Sequence, residues 1–197
     1  MKLETKRLIL RKIKLSDLDD IIEGVNNINI SKCTVSIPFP YAKKDGIWFI
    51  NDCLKGWEEK KKYNFVIVLK SEKKVIGAIG LSDVNLDVGK AETGSWINEK
   101  YWRNGYITEA KIALNEFAFN ELKLNKLNSP VFVSNKASNA TQLRVGYVLE
   151  GCLKENDLCK ATDKIHDCNQ YALFKKNWKK VLPKLKKHLD KKIKSLK

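Results

Sequence analysis

The chain has 197 residues, 43% of them hydrophobic, and a formal net charge of +15 at neutral pH. That length and apolar content suit one folded domain with a true core and exclude a disordered polymer. No apolar run reaches the length of a membrane span, and the start, MKLETKRLILRK, is too charged for a signal peptide. Cys33, Cys53, Cys152, Cys159 and Cys168 are odd in number and show no Cys-x-x-Cys spacing, with only His166 and His188 beside them. Neither a zinc site nor a disulfide framework is supported, which points to a reduced, cytoplasmic protein. The charge is uneven. Residues 175–197 hold eleven lysines against one acid, Asp190, while the other 174 residues hold 27 basic and 22 acidic side chains.

In chain order, Arg7 to Lys12 alternates as a half-buried strand does. Ser16 or Asp17 can cap a helix over Leu18 to Val25, with Asp19 and Asp20 favourable in its first turn. Asn26 to Lys44, rich in Asn, Ser and Pro, reads as a substrate-side loop. Trp48, Ile50, Cys53, Leu54 and Trp57 recur at helical spacing. Phe65–Leu69 and Val75–Leu81 flank a polar turn and predict an antiparallel hairpin, followed by a strand over Ala91 to Asn98. A helix past Gly105 gathers Ile107, Ala110, Leu114, Phe117, Ala118 and Leu122 on one face. Leu127 to Val133 is a strand that Pro130 restricts to an edge or splayed position. A short helix, Ala137 to Val145, stops at Gly146, and strands near Tyr147–Lys154 and Asp167–Phe174 complete the sheet. Trp178, Val181, Leu182, Leu185, Leu189 and Ile193 then form the apolar stripe of a lysine-rich helix. These elements predict an α/β (α+β) fold: one domain over 1–178, with a mixed, mostly antiparallel twisted sheet of about six to seven strands flanked by helices. A basic helical tail over 179–197 follows.

Three segments carry chemistry. Tyr101 to Ala110, YWRNGYITEA, is a tight turn on Asn104-Gly105 running into a helix, which aims free N–H groups and a positive dipole end at one point. Phosphate suits that geometry, although Asn-Gly also makes plain turns. The others are Asn135-Lys136-Ala137-Ser138 and Gly146 to Gly151, GYVLEG. With Glu4–Arg11, Ile76–Leu81, Ala91–Trp96 and Asp167–Trp178, these blocks resemble the GNAT acetyltransferases, and within them the Rim-type branch of ribosomal-protein N-terminal alanine acetyltransferases.

The resemblance implies acetyl-CoA as cosubstrate and direct attack of a neutral amine on its thioester. It places the pyrophosphate on Arg103, Asn104, Gly105, Tyr106, Ile107 and Thr108. The pantetheine arm falls along Trp96 and Ile97 where that strand splays, and Asn135 and Ser138 fall beside the cofactor. Glu92 is the candidate general base, and the alternative is a solvated acid paired to Lys90; Glu150 is a second choice. Ser138 is the candidate proton donor to the leaving thiolate, or else a helix cap. The chain departs from the family pattern at Ile107, where a small residue is usual, and at Trp102, Arg144 and Tyr147. The expected acceptor is a protein or peptide N-terminus. A small amine such as an amino acid, antibiotic or polyamine is the enzymatic alternative, and a non-catalytic ribosome- or RNA-binding protein is the other. The tail is expected to meet RNA, an acidic protein or an anionic surface, or simply to be solvated; monomer and dimer both remain open.

Overall fold

Phe65-Val66-Ile67-Val68-Leu69 is apolar without alternation, and all five side chains are buried. A strand with no polar face must be covered on both sides, and this one separates two cores. In the computed structural model, which describes residues 1–195, it lies within one eight-stranded sheet. The strands are β1 (Lys2–Glu4), β2 (Leu8–Lys12), β3 (Tyr63–Leu69), β4 (Lys74–Asn85), β5 (Lys90–Ile97), β6 (Lys126–Phe132), β7 (Val148–Cys159) and β8 (Lys164–Phe174). Their order is β1-β2-β3-β4-β5-β6-β8-β7, and β5–β6 is the parallel pair in an otherwise antiparallel sheet. The helices are α1 (Leu18–Val25), α2 (Ile28–Ser31), α3 (Lys43–Glu58), α4 (Tyr106–Glu116), α5 (Lys136–Arg144) and α6 (Lys175–Ser195).

On one face, Leu8, Leu10, Phe65, Ile67, Ile79 and Leu81 pack with Ala110, Leu114 and Phe117 of α4 and with Trp178, Leu185, Leu189 and Ile193 of α6. On the other, Val66, Val68 and Val75 meet Ile21 of α1 and Ile50 and Cys53 of α3. Neighbouring side chains on β3 thus enter different cores. The strand count exceeds the sequence expectation because β1 is a three-residue edge, too short to show a period. Likewise α2, four residues long, falls inside the segment read as a loop. The boundary placed after Trp178 falls inside α6, whose stripe belongs to the main core.

One buried carboxylate explains why the Glu4–Arg11 block accompanies the Thr108-Glu109-Ala110 block. Glu109 is 2% exposed and accepts from Thr5 Oγ1 at 2.7 Å, Arg7 N at 2.8 Å and Arg7 Nε at 2.8 Å. The guanidinium of Arg7 also lies 4.3 Å from the Tyr106 ring centroid. Asp17 does not cap α1 with its side chain. Its carboxylate holds Arg11 in two bonds, at 2.6 and 2.7 Å, and the backbone of Lys14 at 3.0 Å. A bidentate arginine outcompetes a backbone cap for the same oxygens.

Candidate active site

β5 and β6 pair only at Lys90–Lys126, Ala91–Leu127 and Glu92–Asn128, and then part while each strand continues. Pro130 lies past the last of these pairs, where β6 has lost β5 as a neighbour. It keeps its place opposite Gln170 of β8, so β6 is an interior strand with a splayed end. A polar set pins the point of parting. Thr93 Oγ1 reaches Asn128 O and Tyr147 Oη at 3.1 Å each, Ser129 Oγ donates to Thr93 O at 3.4 Å, and Gln142 Nε2 donates to Ser129 Oγ at 2.6 Å. β5, β6, α5 and the start of β7 are thereby tied together where the ladder ends.

At the end of β5 the chain makes the Arg103–Thr108 turn. Arg103 has φ +63° and Gly105 +78°, two left-handed residues flanking Asn104. Such a turn curls successive N–H groups around a concavity. Among the described residues, none of the backbone N–H groups from Arg103 to Thr108 finds an acceptor; the first bond of α4 runs from Glu109 N to Gly105 O at 3.0 Å. Free donors and the positive end of α4 converge there, and they fit a diphosphate. Ile107 does not obstruct them, since its side chain packs inward against the main core. Trp102 acts locally, its indole N–H donating to Ile97 O at 2.7 Å and fastening the turn to β5.

On the α1–α3 side, opposite α4, a cleft of 660 Å³ opens over the splay. Glu92, Trp96, Asn135 and Ser138 all line it, whereas Ile97 and the Arg103–Thr108 turn lie outside it. Glu92 is half-buried and forms no ion pair with Lys90 among the described residues. Burial raises its pKa above the ordinary carboxylate value, and the charges of Asp83 and Asp157 add to the shift. Asn135, not Ser138, caps α5: its Oδ1 accepts from Ser138 N at 3.1 Å. The Ser138 hydroxyl has no hydrogen-bond partner among the described residues and faces the cleft. Glu150 is held elsewhere, in two bonds from Lys126 Nζ at 2.8 and 2.9 Å.

Nothing in the order of residues singles out Asn139. Its amide donates to Phe132 O at 3.0 Å and Asn135 O at 2.7 Å, and its Oδ1 accepts from Asn169 at 2.7 Å and from Tyr171 Oη at 2.9 Å. It locks the start of α5 to β6 and β8 and so fixes where Asn135 and Ser138 stand. The setting of Cys168 disfavours a thiolate. Its thiol is buried, donates to Asp157 at 3.1 Å, and is pushed up to about 12 by burial and that carboxylate. His166 is stacked on Phe132 at 4.4 Å and does not orient it.

A splayed parallel pair, a turn of free backbone donors and a cleft over the splay together make up the candidate site. Residues 7–148 match the family model described as the acetyltransferase (GNAT) domain, and the chain belongs to that family. Its relatives include the uncharacterized N-acetyltransferase YoaA of Bacillus subtilis, 29% identical over 173 residues, covering 88% of this chain and 96% of the relative. The ribosomal-protein-serine acetyltransferase of Escherichia coli is 30% identical over 113 residues, covering 57% and 62%. Among solved structures, a spermidine N-acetyltransferase from Vibrio cholerae in complex with CoA and spermine superposes with a TM-score of 0.75. It is 22% identical, and the match covers 88% of this chain and 99% of that one. The protein is thus a GNAT-family N-acetyltransferase, with acetyl-CoA as its cosubstrate.

Proposed function

We propose that the protein acetylates the α-amino group of a protein or peptide N-terminus, with Glu92 as general base and Ser138 as proton donor. The observation carrying this reading is that both side chains face one cleft at the β5–β6 parting, and neither is engaged elsewhere among the described residues. In this scheme the diphosphate sits on the Arg103–Thr108 amides with Arg103 adding charge, the pantetheine arm follows the parted end of β5 at Trp96 and Ile97, and Asn135 borders the arm. The amine nitrogen bonds to the acetyl carbon and gives up its proton to Glu92, directly or through a water. The carbon–sulfur bond breaks, and the thiolate takes a proton from Ser138, which regains one from solvent as Glu92 releases the proton it took.

An α-amine has a pKa of about 8, so roughly a tenth is neutral at pH 7 and a modest base suffices. The cleft supports such an acceptor, since Trp48, Phe49 and Ile37 give an apolar wall for a first side chain and Glu92 and Asp157 give negative charge for the ammonium. A polyamine is the second reading, and the grouping of Asp83 and Asp157 near Glu92 favours it. The cytoplasm is the proposed compartment, where the five free thiols would stay reduced. The exposed lysines of α6 are the proposed contact with ribosomal RNA or another acidic surface. Thiol release from acetyl-CoA, measured with pooled N-terminal peptides against spermidine and free amino acids, separates the readings. Preference for spermidine over every peptide would replace the N-terminal acceptor by a polyamine.

A further inference from the structure

We propose that α6 is a wall of the cofactor site and that Lys192 binds the diphosphate of coenzyme A. The inference rests on the assignment of the Arg103–Thr108 turn to that diphosphate. α6 lies along α4, with Leu189 and Ile193 buried in the main core and Lys186 Nζ 2.8 Å from Glu116 Oε1. This packing carries the last turns of α6 to the amino end of α4. A Cβ placed on Gly105 would stand 3.3 Å from Lys192 Cδ and 3.6 Å from its Cε. The lysine stem therefore rests on the turn itself, and its ammonium lies one bond further along.

Two more observations bear on what that ammonium does. Lys192 is half-buried, yet no carboxylate pairs with it among the described residues, whereas Lys186 on the same helix is paired. Its charge thus adds to that of free amides and a positive helix end already aimed at one place, and only an anion relieves the sum. The same helix also touches the far side of the splay. Val181 Cγ2 would be 2.7 Å from a Cβ on Gly146, which closes α5 at φ +93°. α6 thus runs beside both glycines that border the cofactor side, and the lysine-rich segment belongs to the substrate-binding surface rather than to an appended arm.

The test uses the full chain carrying Lys192→Gln, which keeps the stem packed and removes the charge. Binding of CoA and of dephospho-CoA is expected to weaken about tenfold each, with the difference shrinking as salt rises. KM for acetyl-pantetheine, which lacks both phosphate groups, is expected to stay unchanged, and Lys192→Arg is expected to restore CoA binding. An unchanged melting temperature shows that the helix stays docked. Undiminished CoA affinity in Lys192→Gln overturns the inference while leaving the turn assignment intact. Weakening confined to CoA moves the contact to the 3′-phosphate and overturns the diphosphate assignment. Wild-type protein that binds no CoA removes the reading of the turn, and this inference with it.

Discussion

Glu92 combines two consequences of burial. The environment that raises its pKa brings its proton affinity nearer to what base catalysis at neutral pH needs. The base must be ionised, so kcat/KM is expected to fall as pH drops through a pKa above the ordinary ~4.3 of glutamate. Glu92→Gln is expected to slow turnover ~100-fold or more at pH 7 while CoA affinity holds. Linkage gives the opposite sign for stability. A carboxyl whose folded pKa is raised stabilises the fold below its unfolded pKa, and this is lost as pH rises through the folded value. At pH 7 the carboxylate therefore costs stability, and Glu92→Gln is expected to melt no lower than wild type. Full activity in that variant would move the base elsewhere. Ser138→Ala is expected to lower turnover with little change in melting temperature, because Asn135 supplies the cap. A large drop in melting temperature would give the hydroxyl a structural role instead. Glu92 and Ser138 are candidates in the sequence because each lies in a block that resembles the family's. Asn139 cannot, because its partners Phe132, Asn169 and Tyr171 come together only in the folded sheet.

At the scale of elements, Glu109 joins the β1–β2 turn to the first turn of α4, and α4 in turn presents the cofactor amides. Replacing it with Gln leaves Arg7, whose side chain is 17% exposed, without its counter-charge. A loss of about 3 kcal/mol is expected, read by urea unfolding. A change below about 0.5 kcal/mol would mean that solvent compensates Arg7 fully. Apolar runs and helical spacing mark most elements to within a few residues. β1 and α2 escape because three or four residues hold no period, and the interior position of β6 escapes because Pro130 suits an edge as well as the parted end of an interior strand. The capping of α1 departs from expectation for a different reason: Arg11, six residues upstream, claims the Asp17 carboxylate.

Across the whole molecule, charge and packing assign the tail differently. Its eleven lysines read as a surface device, and the sequence suggests that a chain cut after Pro183 keeps its turnover. The cut would strip Leu185, Leu189 and Ile193 from the main core, where each is at most 8% exposed. At about 2 kcal/mol for each buried side chain, the loss is a large part of a domain's usual stability. The truncated chain is expected to aggregate or melt far below wild type, as thermal unfolding would record. An unchanged melting temperature would make the last three turns dispensable. The apolar stripe is legible in the sequence, but its partner is not, since periodicity shows which side of a helix is buried and not against what.

Where β5 and β6 part, the sheet acquires two strand edges in its interior, a kind of surface that proteins normally keep at their rims. Amide protons that face the gap, those of Ser95, Ile97 and Phe132, are expected to exchange fast in the free protein and slow sharply when CoA is added, while their neighbours stay bonded to β4 and β8. Uniform protection without ligand would show that water does not reach the gap. If the pantetheine arm acts as the missing length of strand, the sheet is completed by a metabolite. A ligand at a hundred times its Kd adds about 2.7 kcal/mol to folding stability. The lifetime of this protein against proteolysis would then follow the supply of coenzyme A, acetylated or free, so that a cell short of the cofactor also holds less of the enzyme that uses it.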